Sequence, residues 1–320
     1  MIMATSKLLA PVVIVMVLLV VGTGAGLYLT RGPGSNINST SSGGPSKVVQ
    51  VVAGENFWGS LASELGGTHV KVLSIVSDPN ADPHQYESSS ANAQAVANAN
   101  LVIVNGAGYD DWLLRLLSAS NNPAQTVLNV QKLIGQPVAT NPHFWYSPYY
   151  VNDTVKAMYN DLVSIDSGNV AYYKQQYATL NASLGVYNAM IHKIAQQFSG
   201  APVAATEDIF VYLANATKLN LVSPREFMQA VAEGNDPPAQ SIAQFQQLLQ
   251  GGNSSVRVLV FNQQTVTPLT QQIKSLAAEH QIPTVGVTET VQPPDVPFQD
   301  WMNAQLIALQ NALNAQALGK

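Results

Sequence analysis

Cysteine is absent from the 320 residues. Disulfides, thiolate metal sites, a cysteine nucleophile and an acylated-cysteine lipid anchor are therefore excluded. Charge is scarce too: Asp, Glu, Lys and Arg make up 10% of the chain, against roughly 25% in an average soluble domain. The net charge is −5, and the first 31 residues hold only Lys7 and Arg31; the remainder has 12 basic and 19 acidic groups, a net of −7. Nucleic-acid binding needs a basic surface, so no nucleic-acid partner is expected. Disorder is excluded for most of the chain by its 47% hydrophobic content. After residue 30 no apolar run approaches the roughly 20 residues that span a bilayer, which excludes a polytopic membrane protein. The length itself suggests about two domains.

Leu8 to Thr30 carries no charge, and Val12 to Val21 is unbroken Val, Ile, Met and Leu. As a helix this segment reaches about 34 Å, enough to cross a membrane. Residues 1–31 are read as a transmembrane anchor, with a cleaved signal segment as the competing reading because Gly24-Ala25-Gly26 offers small residues. Residues 32–47 are Gly-, Ser- and Asn-rich and form a flexible tether. The rest is then extracytoplasmic, tethered to the outer face of the cytoplasmic membrane. Sequons at Asn38, Asn152, Asn181, Asn215 and Asn253 fit that side but are common by chance in such a chain.

The remainder alternates. Val48–Ala53, Val70–Val76, Leu101–Asn105 and Val127–Val130 read as strands, and Phe57–Leu65, Ser90–Ala99 and Asp110–Ser118 as helices. Strands separated by helices predict a parallel α/β sheet. From Asn152 to Phe198 the strand signal stops. Tyr173, Tyr177, Leu180, Leu184, Tyr187, Ile191, Ile194 and Phe198 recur every three or four residues, which predicts one long amphipathic helix. Alternation then restarts, with strands over Pro202–Thr206, Val256–Phe261 and Thr284–Val287. Helices are expected over Ile209–Leu219, Gln240–Leu249, Leu269–His280 and Phe298–Leu318. The expected architecture is an N-terminal α/β lobe over 48–150, a helical linker over 151–199 and a C-terminal α/β lobe over 200–320. A ligand cleft is expected between the lobes.

Five histidines are present. His69, His192 and His280 read as solvated or helix-end residues. His84 and His143 differ: each follows a proline and precedes, two residues on, an aromatic residue, in Asp82-Pro83-His84-Gln85-Tyr86 and Asn141-Pro142-His143-Phe144-Trp145. Proline fixes the local backbone, and loops at element ends are where functional side chains are placed.

Asp82-Pro83-His84-Gln85-Tyr86-Glu87, the run from Val104 to Leu113 (VNGAGYDDWL), Asn141-Pro142-His143-Phe144-Trp145 and the long helix, in that order, resemble the metal-binding component of zinc/manganese ABC importers. The resemblance covers residues 48–317. It implies two α/β lobes with parallel sheets, joined by one rigid backbone helix, with one divalent metal in the interlobe cleft. It also implies the ligands His84 and His143 from the first lobe. From the second it implies a histidine or glutamate after the first strand, matched by Glu207, and an acidic residue after a late strand, matched by Glu289. Asp208 and Asp295 are the substitutes if the register shifts. The implied partner is the ABC permease of the importer, and the chain is expected to be a monomer and not an enzyme.

Two neutral imidazoles and two carboxylates make a neutral site with a divalent ion, Zn2+ or Mn2+, with Fe2+ also suited. Relatives that scavenge zinc often carry a His-rich loop between the two His motifs, and residues 88–140 contain no histidine. The two carboxylates and the missing loop together tilt the reading slightly toward manganese or iron. A metal-dependent hydrolase would need an open coordination position and a nearby general base. Four protein ligands leave little room for it. A surface adhesin or scaffold is the alternative reading. Tyr86 and Glu87 are expected to support His84, and Trp58 and Trp145 to pack the interface between lobes.

Overall fold

The computed structural model describes residues 48–79, 86–138, 140–251 and 256–318. The apolar N-terminal segment, the tether and His84 lie outside the described residues. Among the described residues no helix is long and apolar enough to cross a membrane.

Two parallel sheets share one topology. β1 (Val49–Glu55), β2 (Val70–Val76), β3 (Leu101–Val104) and β4 (Thr126–Asn129) lie in the order β2-β1-β3-β4. β5 (Pro202–Ala205), β6 (Asn220–Leu221), β7 (Val258–Asn262) and β8 (Thr284–Val287) repeat it as β6-β5-β7-β8. All four residues of β3 are buried, as expected of a strand covered on both faces. In each sheet the chain leaves the first strand to one side and later returns on the other. The crevice at such a switch, beyond the carboxyl ends of the strands, is where open α/β sheets bind ligands. Glu55 and Asn105 occupy that position in one sheet, Glu207 and Asn262 in the other.

The first lobe's helices are α1 (Asn56–Gly66), α2 (Ser90–Asn98), α3 (Asp111–Ala119) and the short α4 (Val130–Leu133). α5 (Pro148–Ile165) leads into α6 (Val170–Phe198), the long helix that the periodicity predicts. At 29 residues it spans about 43 Å. Every member of the predicted stripe is buried except Tyr177, which is half-buried and stacks on Tyr159 at 4.7 Å. In the second lobe follow α7 (Val211–Ala216), α8 (Arg225–Ala232), α9 (Ala239–Gln250), α10 (Pro268–Glu279) and α11 (Phe298–Leu318). The helix expected over Ile209–Leu219 is a 3-10 turn at Asp208–Phe210 followed by α7, and β6 and α8 were not expected. A two-residue strand is too short to carry a pattern of period two, so β6 is invisible to periodicity.

One apolar cluster runs through both lobes. It joins Val51 and Leu61 of the first lobe, Leu184 and Ile191 of α6, Val203 and Val260 of the second lobe, and Leu306 and Leu313 of α11. Alternate residues of the same strands face outward into separate clusters, Val52 and Val102 on one side, Ala204 and Leu259 on the other. α11 starts against the first lobe, where Phe298 N–H donates to Ser60 Oγ at 3.0 Å and Gln299 Nε2 to Glu64 Oε2 at 2.8 Å. It then runs along α6, where Tyr187 meets Phe298 edge-on. Each fully buried Leu or Ile side chain contributes about 1.5–3 kcal/mol. Parting the lobes would expose several of these at once, so the fold resists wide hinge opening.

Candidate metal centre

Hydrogen bonds join the carboxyl ends of both sheets across the cleft. Asn56 Nδ2 donates to Val291 O at 3.1 Å, and Val291 N–H returns a bond to Asn56 Oδ1 at 2.9 Å. The Tyr109 hydroxyl, in the turn after β3, donates to Glu289 Oε2 at 2.6 Å.

His143 sits in the loop before α5 and is fully buried. Its backbone N–H donates to Asn141 Oδ1 at 2.9 Å, an Asx turn closed over the intervening proline. Its ring Nδ1 lies 2.8 Å from Asn141 Oδ1 and 3.2 Å from Asp208 Oδ1. Both neighbours are acceptors, so Nδ1 carries the proton and, in the neutral ring, Nε2 carries the lone pair. The loop is held from both lobes. Asn105 Nδ2 donates to Pro142 O at 2.9 Å, and the Tyr212 hydroxyl donates to Asn141 O at 2.8 Å. Burial disfavours the imidazolium, but Asp208, then Glu289 and Glu207, outweigh it and raise the His143 pKa above its ordinary value.

Glu207 follows β5 and Glu289 follows β8, and both are buried. Asn262, the last residue of β7, links them: its Nδ2 donates to Glu207 Oε2 at 2.9 Å and to Glu289 Oε1 at 2.7 Å. Glu207 Oε1 is buried without a hydrogen-bond partner. Burial, then the Glu289 charge, pushes the Glu207 carboxyl up to about 7, against the donors Asn262 and Thr265. Gln264 fixes the Glu289 loop, its Oε1 accepting from Glu289 N–H at 2.8 Å and Thr290 N–H at 3.1 Å.

Of the expected ligands, then, His143, Glu207 and Glu289 are buried within electrostatic reach of one another, while His84 lies outside the described residues. Among the described residues no three His, Asp or Glu side chains converge closely enough to cage a metal ion. Asp208 serves His143 Nδ1, and Asp295 is exposed. His192 and His280 are exposed, and His69 packs on Tyr172 at 4.3 Å. Trp145 stacks on Phe57 at 3.9 Å, and Trp58 Nε1 donates to Asn105 Oδ1 at 3.1 Å, so both tryptophans are buried on partners of the first lobe. Tyr86 gives its hydroxyl to Asn92 at 3.0 Å, and Glu87 is exposed. A cleft of about 750 Å³ opens onto His143, with Tyr109, Asp208, Tyr212, Ser223 and Arg225 in its wall.

Two buried acids behind the cleft carried no sequence-based assignment. Asp110 accepts Asn105 N–H at 2.7 Å and Gly106 N–H at 2.8 Å, pinning the turn that carries Tyr109. Burial pushes it up to about 7, although both backbone donors favour its charge. It was legible only as part of the 104–113 motif. Glu55 ends β1, is fully buried, and neither of its carboxyl oxygens has a hydrogen-bond partner. Burial raises it well above the usual carboxylate range, and Asp110 and Glu289 add to that. Asp110→Ala strands two buried amides, each costing about 1–3 kcal/mol. Its expected outcome is a lower melting temperature and weaker metal binding, because Tyr109 is no longer held over Glu289. An unchanged thermal unfolding midpoint would contradict the capping role.

The family model for the zinc-uptake complex component A, periplasmic, matches residues 51–312. The chain belongs to this family. It is a family of solute-binding components, not enzymes. The zinc-binding protein TroA of Treponema pallidum is 23% identical over 159 residues, 47% of this chain and 51% of that protein. The manganese-binding lipoprotein MntA of Halalkalibacterium halodurans is 27% identical over 150 residues, 45% of this chain and 48% of that protein. The chain thus spans about half the length of the curated relatives it matches. In fold it is similar to the solute-binding protein FpvC of Pseudomonas aeruginosa, solved in complex with Mn2+. The TM-score is 0.70 at 18% identity, over 84% of this chain and 99% of that one.

Proposed function

We propose that this chain is the extracytoplasmic binding component of a metal importer. It captures one divalent transition metal, Zn2+ or Mn2+, through His143, Glu207 and Glu289 together with His84, and delivers it to an ABC permease. The observation that carries the reading is the burial of one imidazole, from the loop before α5, beside two carboxylates that follow strands of the second lobe and act on its charge. Buried carboxylates set this close together are stable when a cation neutralises them. His143 already has the outer partners that orient a ligating ring. Family membership and the metals named for TroA, MntA and FpvC support the same reading. The protein acts as a monomer, held at the membrane through residues 8–30.

Elemental analysis of protein purified from its native host, with titration of the apoprotein by Zn2+ and Mn2+, tests this. One ion per chain is expected, and failure of the apoprotein to bind any divalent transition ion would refute it. Hydrogen exchange with and without metal tests how the ion enters. The continuous core along α6 predicts altered protection at residues 140–146, 206–210, 262–266 and 288–292, with little change over 170–198. A large change along α6 would point instead to wide lobe closure.

A further inference from the structure

The amide of Asn262 stands between the two acidic side chains of the site, and its orientation is fixed. Its Oδ1 accepts the backbone N–H of Gln264 at 3.0 Å, which turns the NH2 group toward the carboxylates. The two shortest contacts of that NH2 are Glu289 Oε1 at 2.7 Å and Glu207 Oε2 at 2.9 Å, with Thr265 Oγ1 farther away at 3.2 Å. An amide nitrogen has two protons, and one goes to each carboxylate. Asn262 is 3% exposed and sits at the end of β7, the strand at the switch point of its sheet. This is a rigid, neutral clamp on one oxygen of each acid. The opposite oxygens are Glu207 Oε1, buried without a hydrogen-bond partner, and Glu289 Oε2, which takes the Tyr109 hydroxyl.

We propose that Asn262 is a selectivity-determining positioning residue: by holding one oxygen of each of Glu207 and Glu289, it makes both carboxylates ligate through a single oxygen. The proposal rests on the reading of these two glutamates as ligands. A carboxylate free to turn can offer both oxygens, and two such carboxylates add two donors to the site. Six oxygen-rich donors suit Mn2+, whereas four donors suit Zn2+. Asn262 thus sets the coordination number, and the clamp favours Zn2+ over Mn2+, against the tilt that the two carboxylates and the missing His-rich loop give.

The test uses the full chain as apoprotein, with Asn262→Ala, Asn262→Asp and Glu207→Ala beside the wild type. Zn2+ and Mn2+ affinities are read by competition with a chelating dye, and Co2+ serves as the optical probe of coordination number. Wild type with Co2+ should show the intense visible bands of a four-coordinate ion. The Asn262 variants should lose intensity toward five- or six-coordination, and their Zn2+-to-Mn2+ affinity ratio should fall by about tenfold, the lower end for loss of an outer-shell partner. Asn262→Asp keeps the size and loses the donor, so it carries the test where Asn262→Ala does not fold. A weak six-coordinate spectrum from the wild type overturns the proposal directly. Folded Asn262 variants with an unchanged ratio and spectrum overturn it while the ligand reading stands, provided Glu207→Ala loses metal. Zn2+ binding untouched by Glu207→Ala overturns the ligand reading and the proposal together.

Discussion

His143→Ala should weaken divalent metal binding by on the order of 100-fold or more, since loss of an outer-shell partner alone costs about 10–100-fold. The ring is fully buried, and Asn141 and Asp208 hold its Nδ1 at 2.8 and 3.2 Å. That arrangement fixes both the tautomer and the direction of Nε2, so a truncated side chain has no substitute at the same place. Asn141→Ala should produce a smaller loss. It removes the acceptor for Nδ1 and also the bond from Asn141 Nδ2 to Asp208 O at 2.6 Å that holds the loop to the second lobe. His192→Ala is the control, because His192 is exposed on α6. Titration of the three apoproteins with Zn2+ or Mn2+ should therefore rank them His143→Ala, Asn141→Ala, His192→Ala in order of decreasing loss. Equal losses from His143→Ala and His192→Ala would remove His143 from the site.

The α/β architecture was legible because its signals are long or repeated. The β3 segment is uniformly apolar and uniformly buried, and the stripe of α6 holds its register through Phe198. Other elements have no local pattern. β6 is two residues long and is defined by its pairing to β5, with Pro202 beside Asn220. α8 follows it, and periodicity over eight residues does not distinguish such a helix from a turn. The site divides in the same way. His143 was legible from its proline-flanked loop. Glu207 and Glu289 needed the resemblance, because a glutamate after a strand is in itself unremarkable. Asn262, Tyr109 and Asp110 act through distant partners. Asn262 reaches Glu207 across 55 positions, and Tyr109 reaches Glu289 across 180. Such pairs exist only once the sheets have placed the strand ends together.

Asn105 and Asn262 show how the repeated topology builds the site. Asn262 ends β7, and Asn105 directly follows β3, the strand in the same position of the other sheet. Asn105 uses its Nδ2 to hold Pro142 O and so the His143 loop, and Asn262 uses its Nδ2 to hold the two carboxylates. Each lobe thus spends a neutral amide at its switch point on orienting groups that the other lobe also touches. Neutral donors can do this without adding a fixed charge that would compete with a bound cation.

The apoprotein should become less stable as pH rises from about 5 to 8, and metal should reverse that trend. The groups responsible are buried together: Glu55, Asp110, Glu207 and His143, with Glu289 and Asp208 as their neighbours. Burial pushes Glu207 from an ordinary 4.5 up to about 7, and Asp110 from 3.8 up to about 7. Each is raised in the fold relative to the unfolded chain. The folded apoprotein therefore keeps protons that the unfolded chain has released, and its stability falls as pH climbs through that window. One such carboxyl is worth on the order of 3 kcal/mol between the two ends of the window. His143, raised as well, adds to the same slope and is lost at the upper end. A divalent ion changes the sign, because it binds the deprotonated carboxylate and the neutral imidazole. Affinity should rise with pH through about 7, and binding near neutrality should release protons, visible as a buffer-dependent heat in calorimetry. Thermal unfolding at pH 5, 6, 7 and 8, with and without Mn2+, checks both halves. The melting temperature of the apoprotein should drop along the series while the gain from metal grows. An apoprotein that is stabilised with rising pH, with a gain from metal that stays constant, would mean that these buried acids are not the groups the ion displaces protons from.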